Sequence, residues 1–215
     1  ACGGTHPTLV PQEVSADPAF DVVSVGEGEY PLRDLVSALQ RDEDYCRIQN
    51  LWVRRGEQEM CNDLRPLIAN LDELPYVDRQ VFGFDEILAA NDGWVDMMVG
   101  RGCPYSCSYC CNHALRACYK GLGRYVRFRS VEHVIGELRA LQTDYAIKTL
   151  NFQDDVFTLD KRWTLAFCRA YAAEFDIPFW INTRVECISD EEIVKALAEA
   201  HCAGIRLASE HGAPD

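Results

Sequence analysis

The second half of the chain alternates short apolar runs with stretches of helical spacing. The runs at 94–99, 147–152, 178–181 and 204–208 predict four strands. Three amphipathic segments between them predict helices, with these core faces: Val134, Ile135, Leu138 and Leu141; Trp163, Phe167, Ala170 and Tyr171; Ile193, Val194 and Leu197. Strands that alternate with helices predict βαβ units, a parallel sheet and an α/β fold, which right-handed crossovers would curl toward a barrel.

Polar side chains mark where these helices begin. Ser130 precedes the first, the second runs from about Asp160, and Ser189 with Glu192 forms a capping box that would begin the third. These start signals agree with the apolar periodicity, so the two kinds of evidence predict the same three helices.

The first 93 residues give a weaker pattern. Residues 20–25 predict one buried strand, followed by a helix with apolar residues at helical spacing. One strand and one or two helices cannot bury a core of their own. We therefore expect 1–45 to be the last part of an α/β domain, 46–93 a connector with a short strand at 48–53, and 94–215 a domain of about four βα units.

Each of the four strands is followed by residues able to bind a ligand. They are Cys103 after the first, Asp154 and Asp155 after the second, Asn182 and Arg184 after the third, and Glu210 after the fourth. The carboxyl ends of parallel strands share one edge, which is where ligands bind in such folds. The alternative roles are a helix N-terminal cap for the two aspartates and an ion pair with Glu186 for Arg184.

The most specific chemical signal is a cysteine triplet. Cys103, Cys107 and Cys110 are separated by three and two residues, and three thiolates alone cannot complete a four-ligand structural site. They can hold three irons of a [4Fe–4S] cluster and leave the fourth iron open. A zinc site completed by His113 is the alternative, and a coincidental group of thiols is another.

Composition and charge further limit the functional classes to which the protein can belong. The net charge of −13 argues against general nucleic-acid binding, although 100–131 carries six basic residues and no acidic one. We expect that segment to be a solvated loop or to offset a bound anion. Eleven cysteines without an export signal favour a reducing cytoplasm, and no apolar run is long enough to span a membrane. The first residue is not methionine, which suggests a piece of a longer protein.

The C-x3-C-x2-C loop, with Tyr109 before its last cysteine, resembles the signature of the radical S-adenosylmethionine (SAM) superfamily. The resemblance implies that Cys103, Cys107 and Cys110 hold the cluster, that SAM binds the open iron, and that electron transfer yields a 5′-deoxyadenosyl radical. It implies a cofactor contact for Tyr109, and SAM contacts for the residues that follow the next three strands: Asp154, Asp155, Arg184 and Glu210. His211 departs from the family pattern, where serine is usual.

The N-terminal segment resembles the closing third of a Rossmann-like cobalamin (B12)-binding domain. The resemblance lies in Gly3-Gly4-Thr5-His6-Pro7-Thr8, in Val23 to Glu29 and in the linker Leu71 to Arg79. It implies that the turn at Gly3 and Gly4 and the loop at Gly26 and Gly28 lie near the corrinoid, since glycine permits close backbone approach. Ordinary turns remain the alternative, and His6 is a weaker candidate for a cobalt ligand.

Together these resemblances imply a fragment, truncated at both ends, of a cobalamin-dependent radical SAM enzyme, with the N-terminal two thirds of a (βα)6-type barrel at 94–215. The implied reaction is methyl transfer from SAM to an unactivated carbon of a small-molecule substrate, with an electron donor such as flavodoxin or ferredoxin. Ring closure or rearrangement without methyl transfer, methylthiolation, and a zinc or iron–sulfur scaffold are the alternatives.

Overall fold

The computed structural model describes residues 1–56 and 58–207. The chain forms two compact units, each made of two separate stretches. The first unit comprises residues 1–69 and 104–125, and the second comprises 70–103 and the chain from 126 onward. These limits differ from the boundaries expected near 45 and 93, which stay a prediction about domains.

The helices are α1 (Thr5–Leu9), α2 (Pro11–Ala16), α3 (Glu29–Gln40), α4 (Phe84–Ala90), α5 (Asn112–Cys118), α6 (Val131–Asp144), α7 (Lys161–Ala172) and α8 (Glu191–Glu199), with 3-10 turns at Leu71–Glu73, Arg79–Val81 and Val185–Cys187. The strands are β1 (Val22–Ser24), β2 (Leu51–Arg55), β3 (Gln58–Cys61), β4 (Trp94–Met97), β5 (Gly100–Arg101), β6 (Arg127–Phe128), β7 (Thr149–Phe152), β8 (Phe179–Thr183) and β9 (Cys202–Leu207). Among the described residues, every helix is too short or too polar to cross a membrane.

The second unit contains the predicted parallel sheet. Its order is β4-β7-β8-β9, and all three neighbouring pairs run parallel. One face of this sheet packs on α6, α7 and α8 around a cluster of aromatic rings from Phe152, Phe157, Phe167, Tyr171 and Phe179. The α/β prediction is confirmed, and β9 begins two residues earlier than expected.

The helix starts agree with the sequence in two of three cases. The Ser130 hydroxyl accepts the His133 N–H, and the Asp160 carboxylate accepts the Trp163 N–H. The predicted start of α8 at Ser189 was wrong, since Asp190 is the N-cap and its carboxylate accepts the Glu192 N–H. Ser and Asp are both favourable N-cap residues, so the sequence does not decide between the neighbours Ser189 and Asp190, and the predicted helix start was one residue early. In the same helix Val194 is exposed rather than part of the core.

The first unit is built around a small sheet of order β1-β2-β3, in which both pairs are antiparallel. Cys2 pairs with Val23 as an isolated parallel bridge on the other side of β1. The chain then turns at Gly3 and Gly4 into α1. A residue that pairs in parallel with β1 and is followed directly by a helix has the arrangement of a βα unit, with Cys2 in the strand position and α1 as the helix.

Candidate site at the cysteine loop and the strand ends

Asp154 follows β7 and is 4% exposed. Its carboxylate accepts the Val99 N–H at 3.1 and 3.0 Å and the Gly100 N–H at 2.7 Å. Burial raises the pKa of this carboxyl to about 6, while the two backbone N–H donors act in the opposite direction. Asp154 thus fixes the backbone that leads from β4 toward Cys103.

The helix-cap role considered for Asp154 and Asp155 was wrong, because Asp160 caps α7. Asp155 is exposed at the same strand end, next to the buried Asp154. The carboxylate of Asp155 therefore stays a predicted SAM contact, whereas that of Asp154 is already engaged by the protein backbone.

Arg129 fixes the same backbone segment from another side. Its N–H donates to the Val99 carbonyl at 2.8 Å, and its Nη1 donates to the Met98 carbonyl at 3.2 Å. The guanidinium also pairs at 2.6 Å with Glu137, which is buried and pairs with Arg79 at 3.0 Å. The expectation of a purely solvated basic loop at 100–131 was therefore wrong for this residue, since a buried acid from α6 neutralises it.

The three cysteines belong to different units of the fold. Cys103 is buried in the second unit, and the partly exposed Cys107 and Cys110 lie in the first. The Cys110 N–H donates to the Cys107 carbonyl at 3.1 Å, which closes a turn between these two residues. The short spacing of the second pair thus appears locally as a tight turn that precedes α5.

The sulfur of Cys110 accepts two hydrogen bonds from Asn112. The backbone N–H lies at 3.5 Å and the side-chain Nδ2 at 3.6 Å. The Asn112 side chain is buried, and its Oδ1 accepts the Tyr125 hydroxyl at 3.0 Å. Neither Asn112 nor Tyr125 was predicted from the sequence, although an amide two positions after the last cysteine of the triplet is a signal that the sequence contains.

Among residues 1–56 and 58–207, no group of three or more His, Cys, Asp or Glu side chains is placed to hold a metal ion. The three thiolates and the N–H donors to the Cys110 sulfur fit the ligands of an iron–sulfur cluster. Hydrogen bonds from N–H groups to cysteine sulfur stabilise the thiolate ligands of such clusters. His113, the fourth ligand of the zinc alternative, is exposed.

The remaining residues predicted to contact SAM differ in their surroundings. The Tyr109 side chain is 64% exposed. Arg184 forms a two-pronged ion pair with Glu186, at 3.2 and 2.9 Å, which is the alternative that the sequence left open. This pair leaves the SAM contact of Arg184 a prediction. Glu210 lies outside the described residues.

The two glycine loops predicted to lie near a corrinoid meet in the first unit. The Thr8 hydroxyl donates to the Gly4 carbonyl at 2.7 Å and accepts the Gly26 N–H at 2.9 Å. The Ser24 side chain lies between these loops, with its Cβ 3.3 Å from where a Cβ on Gly3 would be and its Oγ 3.8 Å from the corresponding point on Gly28. His6, the weaker candidate, is exposed on α1.

Two further observations bear on whether this place suits a large ligand. The Ser24 hydroxyl is buried without a hydrogen-bond partner within the described part of the chain, and such orphaned groups mark places where a ligand or water belongs. Gly4 has φ +112°, and no atom lies within 4 Å of its missing Cβ. An open glycine turn and an unsatisfied hydroxyl at the end of β1 fit a bound cofactor.

The second face of the parallel sheet carries a polar network that the sequence analysis missed. The Asn151 amide donates to Asp96 at 2.6 Å and accepts Arg206 Nη1 at 2.5 Å, and the Arg206 guanidinium stacks on Trp180. Trp180 lies flat against Gly204, where an added Cβ would approach its ring to 2.3 Å. The signal was the alternation of polar and apolar residues within β4, β7, β8 and β9, which separates this face from the core.

The profile of the Radical SAM superfamily matches residues 97–215, which is more than half of the chain. The chain belongs to the radical SAM superfamily. The match begins at the end of β4 and includes the whole cysteine loop and the residues that follow β7 and β8.

Two curated relatives cover nearly the whole chain. An uncharacterised methyltransferase of Pyrococcus horikoshii is 32% identical over 214 residues, which span 99% of this chain and 45% of the relative. An anaerobic magnesium-protoporphyrin IX monomethyl ester cyclase of Cereibacter sphaeroides is 26% identical over 222 residues, 98% of this chain and 35% of the relative. The chain therefore spans less than half the length of these two relatives.

A solved structure shares the fold. The radical SAM methyltransferase TsrM from Kitasatospora setae, with cobalamin and a [4Fe–4S] cluster bound, superimposes with a TM-score of 0.73. The alignment has 19% identity and covers 97% of this chain and 41% of TsrM. The likeness includes both units of this radical SAM chain, since it extends over nearly every residue.

Proposed function

We propose that this chain is the cofactor-binding part of a cobalamin-dependent radical SAM methyltransferase. The observation that carries the proposal is the superfamily match over residues that include Cys103, Cys107 and Cys110. These three thiolates would hold the [4Fe–4S] cluster, with Tyr109, Asp155, Arg184 and Glu210 as candidate SAM contacts. The methyl acceptor would be a small molecule.

When bound, the cluster, SAM and cobalamin supply a reductant, a source of the 5′-deoxyadenosyl radical and a methyl carrier. The protein's own contribution is positional. Asp154 and Arg129 hold the backbone at 98–100, from which the chain continues to Cys103. Asn112 donates N–H groups to the sulfur of Cys110. Fixed ligands reduce the reorganisation that each electron transfer would otherwise require.

The cobalamin part of the proposal is supported by the first unit. Its two glycine loops are joined through Thr8 and border the unsatisfied Ser24 hydroxyl. TsrM, which shares the fold, was solved with cobalamin bound. Gly3, Gly4 and Gly28 are the candidate contacts, whereas Gly26 is closely approached by the chain's own Tyr119.

Ring closure without methyl transfer is the second candidate. It is favoured by 26% identity to a cyclase over 98% of the chain. The two candidates share the cluster, SAM and the radical, and they differ in the fate of the SAM methyl group.

The electron donor would be a flavodoxin or ferredoxin, and the reaction belongs in a reducing cytoplasm because free thiolates must persist.

The proposal is tested on the full-length protein by anaerobic reconstitution with iron and sulfide. We expect about four irons per chain, a reducible cluster by electron paramagnetic resonance, and reductant-dependent formation of 5′-deoxyadenosine from SAM. Substitution of alanine for Cys103, Cys107 or Cys110 should abolish all three signals. Cys111→Ala and Cys118→Ala, which replace exposed thiols of the same segment, are the matched controls.

SAM labelled in its methyl group separates the two candidate reactions. Methyl transfer predicts label on cobalamin and then on the product, whereas cyclisation predicts deoxyadenosine without methyl incorporation. Bound zinc with no cleavage of SAM would contradict both candidates and restore the scaffold alternative.

A further inference from the structure

Tyr119 joins two segments of the first unit that are far apart in the chain. It directly follows α5, the helix that begins after Cys110, and only 6% of it is exposed. Its hydroxyl oxygen accepts the backbone N–H of Glu27 at 2.6 Å. Tyr119 therefore connects the segment that carries Cys107 and Cys110 to the Gly26–Gly28 loop.

The conformation of Gly26 is matched to this hydroxyl. Gly26 has φ +88°, and an added Cβ would lie 2.1 Å from the Tyr119 oxygen. The phenol thus occupies the place that a side chain at residue 26 would need. A glycine was expected here for approach to a corrinoid, but the group that approaches closely belongs to the protein itself.

The chain segments on both sides of this hydrogen bond make further hydrogen bonds within the first unit. The Glu27 carboxylate accepts the Ile68 N–H at 2.8 Å, and the Asn50 amide donates to the Val25 carbonyl at 2.7 Å. On the cysteine side, the Leu122 carbonyl accepts the Leu67 N–H at 2.8 Å. Both segments are thus hydrogen-bonded to other parts of the first unit, so displacement of either one would strain the bond between Tyr119 and Glu27.

The same loop is connected to the second glycine turn. The Gly26 N–H donates to Thr8, which in turn donates to the Gly4 carbonyl. A continuous chain of contacts therefore runs from Gly4 through Thr8, Gly26, Glu27 and Tyr119 to α5. A ligand that orders one end of a packed chain of this kind lowers the entropic cost of ordering the other end.

We propose that Tyr119 is a positioning residue that couples cobalamin binding at the glycine loops to cluster binding at Cys107 and Cys110. The inference rests on the proposed function of these two places. It adds that the two cofactors bind with positive cooperativity, and that the hydroxyl of Tyr119 transmits most of it. The coupling must be reciprocal, since each cofactor changes the affinity for the other by the same factor.

The test measures hydroxocobalamin affinity of the full-length protein in two forms, cluster-loaded and cluster-free. In the unsubstituted protein we expect the loaded form to bind roughly tenfold more tightly, which is within the usual range of coupling between sites. In Tyr119→Phe, which keeps the ring and removes the acceptor oxygen, the ratio of the two affinities should fall to about one, since coupling is then lost. Tyr45→Phe is the control, because Tyr45 packs on Arg55 in another part of the first unit.

A second measurement does not depend on the folding of any variant. The affinity of the unsubstituted protein for its cluster, measured by competition with an iron chelator, should rise with hydroxocobalamin by the factor found for cobalamin affinity. An unchanged ratio in Y119F, or a ratio near one in the unsubstituted protein, would overturn the inference. Absence of the cluster or of cobalamin binding in the unsubstituted protein would instead overturn the proposed function.

Discussion

The Asp154 carboxylate accepts the backbone N–H of Gly100 at 2.7 Å, within the segment that leads to the first cysteine. A residue expected at the ligand edge thus has a structural partner in the segment that follows the neighbouring strand, β4. Its burial raises its pKa to about 6, above the ordinary value of 3.8. The ordinary value describes the unfolded chain, so the folded state binds this proton more tightly.

The sign of the pH dependence follows from that difference. Protonation of Asp154 stabilises the folded state, so its contribution to the free energy of unfolding falls as pH rises from about 4 to about 6 and is constant above. The full change is at most about 3 kcal/mol. Asp154→Asn should remove this slope, which urea unfolding between pH 4.5 and 7.5 would measure. Carboxyls with lowered pKa, such as Asp34 and Asp190, have the opposite slope but are common to both proteins, so they cancel in the difference. Parallel curves for the two proteins would show that the shift is absent.

Asn112→Ala should make the midpoint potential of the cluster more negative. Its side-chain N–H donates to the Cys110 sulfur, and such donors favour the reduced cluster, which carries more negative charge. A redox titration followed by electron paramagnetic resonance measures the potential. Tyr125→Phe, which releases the Asn112 side chain, should give a smaller shift in the same direction. Ser108→Ala, an exposed change in the same loop, is the control, and equal potentials in N112A and S108A would exclude the role of Asn112.

Gly26→Ala should destabilise the protein more than Gly121→Ala. The two glycines have nearly the same backbone angle, φ +88° and +84°, but no atom lies within 4 Å of a Cβ added at Gly121. Gly121→Ala therefore measures the backbone cost alone, about 1–2 kcal/mol. The excess for Gly26→Ala measures the collision with Tyr119. Combining G26A with Y119F should recover part of that excess in urea unfolding, and strict additivity would contradict the contact.

Glu137→Ala should cost about 3–5 kcal/mol in the free energy of unfolding, because it leaves the charges of Arg79 and Arg129 without their buried acceptor. Glu174→Ala breaks an exposed ion pair with Arg139 and should change stability little. Denaturant unfolding of both variants gives the comparison. A small effect of E137A would mean that water or another group replaces the carboxylate.

The fold of the second unit could be predicted because its signals are local. A strand or helix shows its period within a dozen residues, and Ser130 and Asp160 mark helix starts by their own chemistry. The family resemblance of the cysteine loop is equally local. These signals were sufficient to predict a parallel sheet of four strands, although the resemblance was needed to interpret the thiols as a radical SAM site.

The partners of the site residues could not be predicted, since they depend on contacts between distant parts of the chain. Tyr119 bonds to Glu27 across 92 residues of sequence, and Asp154 bonds to Val99 across 55. The hydrophobic periodicity of the sequence gives no information about contacts between residues so far apart. The polar face with Asp96, Asn151 and Arg206 differs, because its alternation was visible and only the strand ends had been considered.

The assignment of residues 104–125 to the same unit as residues 1–69 has a practical consequence for dissecting the protein. A fragment that ends near residue 69 or 93 lacks α5 and Tyr119, and a fragment that begins near residue 94 carries them away from the residues they pack on. Each unit is discontinuous in the amino-acid sequence. We therefore expect either half, when expressed alone, to be incompletely folded. A gene that joins residues 104–125 directly to residues 1–69 would preserve the contacts of the first unit.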